Sequence, residues 1–589
     1  MKPHKIWGPL VPLLASRVAS LEDVLVHGDG VTFAGVRNTT STIDSFYGIK
    51  YAEAPVGELR WRPPVLVDYR ATQGHQPVQI DATTPGNGCV QTGPFWSESL
   101  TLNQSGHSED CLLLNIQVPS KRTSDKLLPV LVNIHGGGTV IISRNPSPKA
   151  GRILNKGPKG YTLGTAIDNA GDALVYQSNG SMIYVAVQYR LGPWGFLAGD
   201  HVAEDGTPNA GLLDQRAAIE WLRQNIAHFG GDPDGITITG GSAGGGSVTM
   251  QMILYGGEED PPFRAAIPEF PWWTPMFGKD WQNEQASLLL EASGCSNIDC
   301  LRSRSTEELL NATNIVYRTA YEAGSYGYGT FYWGPVVDGV IIQDNPVLEF
   351  YNGHFTKVPV LITRNGHEGF TFTNNSIDSA EGSRSMLKAL WQDSEGQYVD
   401  VVRSLYPPSA RDAQALEELP VLEDLAAIGL VYNITEEFAL TQAIFGDALV
   451  NCPTAYVAGA VDAAGLAAFK LIFNTAYQFH GATGAYIYNK EIDHDGTMVY
   501  EGLPPLGGNT TLAFQMRDWY ISFVVDLDPN SAATTQNPIA TWPKFGSTGG
   551  NVLYISGDGI EAIRDPDDYV PCHFFHMTRG QIDGRVPVW

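Results

Sequence analysis

Ser242 is framed by small residues in Gly240-Gly241-Ser242-Ala243-Gly244, directly after Ile236-Thr237-Ile238-Thr239, a β-branched run that reads as a buried strand. A serine held on a strained strand-to-helix turn presents its hydroxyl as a nucleophile, and the turn needs small neighbours where the backbone crowds. The pattern is short and the chain has 64 glycines, so a glycine-rich turn explains the pentapeptide equally well until its surroundings are read. Upstream, His135-Gly136-Gly137-Gly138 follows Pro129-Val130-Leu131-Val132-Asn133-Ile134, a second buried-strand run. Consecutive glycines let backbone N–H groups converge on one point, which acyl transfer requires to hold a tetrahedral oxyanion. Gly137 and Gly138 are the expected donors, with Ala243 the third.

Around these two segments the chain resembles the type-B carboxylesterase/lipase family, the cholinesterase-like branch of the α/β-hydrolases, and within it the secreted fungal members. The resembling segments run in order from Phe46-Tyr47-Gly48-Ile49-Lys50-Tyr51-Ala52 and Leu59-Arg60-Trp61-Arg62-Pro63-Pro64 through Ser108-Glu109-Asp110-Cys111-Leu112 and Tyr189-Arg190-Leu191-Gly192. They continue through Gly211-Leu212-Leu213-Asp214-Gln215 and Phe229-Gly230-Gly231-Asp232-Pro233 to Trp542-Pro543, so they cover most of the chain. The resemblance implies an α/β-hydrolase fold, a large central and mostly parallel sheet flanked by helices, with insertions capping the site. It also implies cleavage of a small-molecule carboxylic ester through an acyl-enzyme, by a Ser-His-Glu triad and without cofactor or metal.

Under the resemblance the acid of that triad is Glu368. Pro359-Val360-Leu361-Ile362-Thr363 runs into Arg364-Asn365-Gly366-His367-Glu368-Gly369, similar to the family's strand followed by N-x-x-E-G. Such a glutamate fixes the histidine tautomer and stabilises the imidazolium formed as the serine loses its proton. His367 is then only a neighbour. Two of the 13 histidines compete for the base. His480 lies between Phe473-Asn474 and Tyr486-Ile487-Tyr488, as in the family, 112 residues beyond Glu368, which is itself 126 beyond Ser242. His494, in Asp493-His494-Asp495-Gly496, stretches the second interval to 126, and its acidic flanks read as a turn or an adventitious ion site. His480 is the expected base, in the chain order Ser, Glu, His.

The sequence departs from the family pattern at three places. Gly241 stands before the serine where the family usually has glutamate, and Thr483 stands three residues after His480 where an acid is usual. Less negative potential stabilises an imidazolium less, which alters the working pH range more than the reaction type. Residues 141–166 form an insertion rich in Lys, Arg, Gly and Pro, expected to cap the site. Phe95-Trp96 and Phe270-Pro271-Trp272-Trp273 are expected to line an apolar acyl or alcohol pocket, with core packing the alternative for Trp272 and Trp273.

Strands and helices must hold these groups. Ser181-Met182-Ile183-Tyr184-Val185-Ala186-Val187 is continuously apolar, as a strand buried on both faces should be. Residues 215–227 instead place Ala218, Ile219, Leu222 and Ile226 on one helical face. Such alternation predicts a doubly wound α/β core. The family pairs Arg60 with Glu109 and Arg190 with Asp214, pairings that buried charges require for structural reasons.

The chain has 589 residues, 43% apolar and 17% charged, with no linker, charge block or repeat at which to divide it. One catalytic domain over residues 21–589 is expected, after a signal peptide at 1–20 in which Lys2 and Lys5 precede an apolar stretch. A net charge of −26 argues against nucleic acid and anionic membrane surfaces as partners, and no apolar run approaches a bilayer span. Cys89 with Cys111, and Cys295 with Cys300, resemble family disulfides and leave Cys452 and Cys572 as a third pair. Sequons begin at Asn38, Asn103, Asn179, Asn311, Asn374, Asn433 and Asn509. Together these predict a secreted, N-glycosylated monomer or homodimer. Three alternatives stay open. A lipase or sterol esterase needs a long apolar lid, whereas the loop between Cys89 and Cys111 mixes Ser, Glu, Asn and Gln with its aromatics. A non-catalytic cholinesterase-like binding protein would have lost the serine that this chain retains. A lyase or transferase would use the same serine.

Overall fold

The computed structural model describes residues 21–69, 78–97, 106–122, 125–137, 160–427, 431–476, 478–488, 491–492, 498–499, 510–531, 540–546 and 550–578. The expected signal peptide, Gly138, His494 and residues 141–159 of the insertion lie outside the described residues.

Among the described residues, thirteen strands make one mixed sheet. Its centre is parallel and runs, neighbour to neighbour, through Ile183–Val187, Leu128–Ile134, Gly231–Gly241, Ala265–Glu269, Val360–Asn365, Ala468–Asn474 and Asn551–Ser556. Antiparallel strands extend it at both margins, Leu113–Pro119 and its neighbours on one side and Ile560–Arg564 on the other. The central runs are apolar at successive residues because both faces are covered. Val130 and Val132 enter one hydrophobic core, whereas Leu131 between them enters a second on the opposite face. The helix expected over 215–227 runs over Ala210–Asn225, followed by a 3-10 turn at Ile226–Phe229. It begins earlier because Asn209, left-handed at φ 57°, starts it there.

Two buried ion pairs tie loops to this frame. Arg60 donates to both carboxylate oxygens of Glu109 at 2.7 Å, and Arg190 donates to both of Asp214 at 2.7 Å. Removing one member of such a pair strands a buried charge, at a cost of about 3–5 kcal/mol. Disulfides join Cys89 to Cys111, Cys295 to Cys300 and Cys452 to Cys572. One helical run, Glu436–Ala463, is long and apolar enough to cross a membrane by length and composition alone. It is broken by a π turn at Asp447–Asn451, and 72% of its most apolar window is buried, the pattern of a core helix.

Candidate active site

Strand Gly231–Gly241 ends against the turn at Ser242, and helix Ala243–Ile253 begins immediately after it. Ser242 has φ 60° and ψ −125°, a left-handed conformation that costs a non-glycine residue roughly 1–3 kcal/mol. Neighbouring contacts hold it there. Its N–H donates to the Glu269 carbonyl at 3.1 Å, and its carbonyl accepts from the N–H groups of Gly246 at 2.8 Å and Trp272 at 2.9 Å. The flanking glycines are obligatory, since a Cβ on Gly240 or Gly244 would lie 2.4 or 2.1 Å from the Ile134 carbonyl oxygen.

The His480 ring fills the gap between Ser242 and Glu368. Its Nε2 is 2.7 Å from Ser242 Oγ and its Nδ1 is 2.5 Å from Glu368 Oε2. All three residues hang from the carboxyl ends of parallel strands, as connections in a parallel sheet require. Glu368 is fully buried, and its second oxygen accepts from the Asn365 backbone N–H at 2.5 Å and side-chain amide at 2.9 Å. Asn365 Oδ1 in turn accepts from the Thr483 N–H at 3.3 Å, so the loop carrying His480 is tied to the loop carrying Glu368. The His367 N–H adds a second tie to the Gln478 carbonyl at 2.7 Å. Burial and the nearby Arg364 guanidinium push the His367 ring down to about 4, so it stays neutral at ordinary pH.

The His480 ring is walled edge-to-face by Phe372, Phe270 and Trp272, at centroid distances of 4.9, 5.0 and 5.8 Å. Trp272 continues to Phe331 at 5.8 Å, which meets Trp96 at the same separation. A chain of packed, largely buried aromatic rings therefore runs from the histidine to the Cys89–Cys111 loop. Trp272 and Trp273 are both buried in the hydrophobic core, which is the alternative the sequence left open for them, and the Trp273 Nε1–H donates to Thr249 Oγ1 at 2.9 Å while its ring stacks on Phe350.

The His135-Gly136-Gly137 segment passes directly against the serine turn. A Cβ on Gly136 would lie 2.1 Å from the Gly241 carbonyl oxygen and 3.2 Å from Ser242 Cβ. His135 braces this segment, its ring stacked on Tyr189 at 4.5 Å and its carbonyl accepting from the Tyr189 hydroxyl at 2.8 Å. The end of the insertion packs behind it: Gly164, at φ 129°, comes so close that a Cβ would lie 2.3 Å from the Gly136 carbonyl oxygen.

Sequence reasoning left two polar groups here without a role. Asn365 stands inside the quoted N-x-x-E-G pattern, so its signal was present. Glu269 has no motif at all, only the oddity of a carboxylate ending an apolar strand.

The profile of the carboxylesterase family matches residues 26–565. Lipase 4 of Diutina rugosa is 28% identical, over 94% of this chain and 96% of that protein. Secreted lipase 1 of Botryotinia fuckeliana is 30% identical, over 91% of this chain and 89% of that protein. Among solved structures, EstA of Aspergillus niger superposes with a TM-score of 0.75 at 25% identity, covering 94% of this chain and 97% of its own. With a match across nearly its whole length, the chain belongs to the carboxylesterase family.

Proposed function

We propose that the protein is a secreted serine esterase that cleaves carboxylic esters of apolar or aromatic character. Ester hydrolysis is the chemistry that family membership carries, and the remainder is our reading. Ser242 Oγ attacks the ester carbonyl while His480 Nε2 accepts its proton, and Glu368 holds the opposite ring nitrogen and steadies the imidazolium. The N–H groups of Gly137 and Ala243 receive the oxyanion, with Gly138 joining them from sequence alone. His480 returns the proton to the departing alkoxide, leaving an acyl-enzyme. Water then attacks that acyl group by the same route in reverse and restores the serine.

The observation that carries this reading is the His480 ring bridging Ser242 and Glu368 at 2.7 and 2.5 Å. The aromatic wall formed by Trp272, Phe331 and Phe372 supports an apolar acyl or alcohol group. Secretion is supported by three disulfides and by a relative named as secreted. Asn179, Asn311 and Asn433 are exposed sequon positions suited to glycans. A lipase is the second reading, favoured by the names of the Diutina and Botryotinia relatives.

Turnover of p-nitrophenyl esters of rising acyl length, by the native chain and by Ser242→Ala, tests both. The serine variant should lose about 10³-fold or more in kcat while staying folded; a folded variant that keeps its activity overturns the mechanism. Preference for short and aromatic acyl groups in solution supports an esterase. A jump in rate on emulsified long-chain esters moves the protein to the lipases.

A further inference from the structure

Arg364 lies at the end of the strand that delivers Glu368, and it is buried. Side chains alternate along a strand, and Ile362 stands opposite Lys470 on the neighbouring strand, so Arg364 and Lys470 project from the same face of the sheet. Ile362 and Ile472 on that face enter the hydrophobic core, and the two cations lie among them, 6% and 0% exposed. Buried cations need counter-charges. Asp565 and Asp567, just beyond strand Ile560–Arg564, supply them. Lys470 Nζ donates to Asp565 at 2.7 Å and to Asp567 at 2.6 Å. Arg364 donates through Nε and Nη2 to the two oxygens of Asp567, each at 2.7 Å.

Two donors committed to Asp567 fix the plane of the guanidinium, and its third nitrogen, Nη1, then meets the Asn365 carbonyl at 3.0 Å. Asn365 is the residue whose N–H and amide hold Glu368 Oε1. A continuous set of contacts thus runs from Asp567 through Arg364 and Asn365 to the carboxylate that meets His480 Nδ1. Asp567 is itself fixed, its N–H donating to Asp565 Oδ1 at 3.1 Å. Beyond it the Tyr569 hydroxyl donates to Asp447, and Cys572 is bonded to Cys452. Asp447 opens the π turn, and the helix leading into that turn presses on the Glu368 loop. A Cβ on Gly369 would lie 2.0 Å from the Gln442 carbonyl oxygen, and one on Gly446 would lie 3.5 Å from Glu368 Cβ. Segment 565–572 therefore holds both supports of that loop.

Four charges buried together add little stability over apolar side chains of the same volume. We propose that this cluster supplies geometry instead: Asp567 is a positioning residue for ester hydrolysis, acting through Arg364 and Asn365 to hold the Glu368 carboxylate in line with His480. The inference rests on the Ser242, His480, Glu368 mechanism proposed above. Segment 565–572 thereby takes part in a reaction whose groups all precede it in sequence.

The test measures kcat and KM on a soluble p-nitrophenyl ester, and the melting temperature, for the native protein and three variants. These are Ser242→Ala, Arg364→Lys, and a double variant combining Arg364→Met with Asp567→Leu. The double variant removes one cation and one anion together and leaves Lys470 paired with Asp565, so it should melt close to the native temperature. Its kcat should fall about tenfold while KM stays within about twofold. Arg364→Lys keeps a charge beside Asp567, but an ammonium cannot reproduce the fork that also holds the Asn365 carbonyl, so kcat should fall in the same way. A role in stability alone would move the melting temperature and leave kcat in place. Should the double variant fail to fold, the lysine variant decides alone. A kcat within about twofold of native in the folded variants, or a loss carried by KM, overturns the role of Asp567 and leaves the triad standing. Hydrolysis surviving in Ser242→Ala overturns the mechanism and this inference with it.

Discussion

Asn365 grips Glu368 Oε1 twice, with its backbone N–H at 2.5 Å and its side-chain amide at 2.9 Å, while its own Oδ1 reaches the chain just beyond His480. The carboxylate is thereby oriented from the side opposite the histidine. Asn365→Ala should free it to rotate and misalign the imidazole, lowering kcat by about 10–100-fold with little change in KM. Steady-state kinetics on a soluble ester checks this, and an unchanged kcat in the folded variant would show that the buried loop alone holds Glu368.

Gly241 and Phe270 compete for one volume. Gly241→Ala should destabilise the fold by about 1–3 kcal/mol, since the new methyl meets the phenyl ring. Phe270→Ala clears that volume. The double variant should therefore be more stable than the sum of the single changes, a coupling that thermal denaturation of the four proteins measures.

Glu269 links stability to pH. Burial pushes its carboxyl up to about 7 in the folded protein, against 4.5 for an unperturbed glutamate. Over that interval the unfolded chain has released the proton while the folded chain still binds it, so stability contributed by this group declines as pH rises from about 4.5 to about 7. His367, held at about 4 against 6.5, acts with the opposite sign over nearly the same interval. The native curve therefore mixes the two. The difference between native and Glu269→Gln isolates the carboxyl: the variant should gain up to about 3 kcal/mol relative to native between pH 4.5 and pH 8. Urea titrations at the two pH values measure that difference, and one that does not change with pH contradicts the assigned burial effect.

The three disulfides should contribute unequally. Cys452–Cys572 joins positions 120 apart in sequence, whereas Cys295–Cys300 joins positions 5 apart. Constraint of the unfolded chain grows with the logarithm of loop length, giving roughly 5 kcal/mol for the first and roughly 2 kcal/mol for the second. Paired Cys→Ala variants compared by thermal denaturation should show the larger loss for Cys452 and Cys572.

Much of the sheet was legible because strands buried on both faces carry nearly unbroken apolar runs. The serine turn was legible because only small residues fit beside Ile134. The family resemblance pointed to Glu368 and His480, and the fold brings His480 within hydrogen-bond distance of both Glu368 and Ser242. Asn365 was visible but unassigned, since an asparagine at a strand end is equally at home as a turn residue. Glu269 was hidden because its surroundings, Thr239, Tyr184, Tyr488 and Tyr520, come from four distant segments, and no local pattern marks a carboxylate that faces tyrosines from elsewhere. Trp272 and Trp273 read equally as pocket lining or core, because an aromatic pair carries no local sign of which it is, and both are buried in the core.

Under the proposed mechanism, the suspension of Ser242, Glu368 and His480 from three parallel strands, spread over 238 residues of sequence, also sets when activity appears during folding. No two of them are brought together by a local turn. Each strand must first find a partner distant in the chain, and pairings of that kind are the slow ones. During refolding from denaturant, with disulfides intact, helical signal should recover well before hydrolysis does. The enzyme's own turnover would then serve as a clock for completion of the sheet, blind to every intermediate that precedes it.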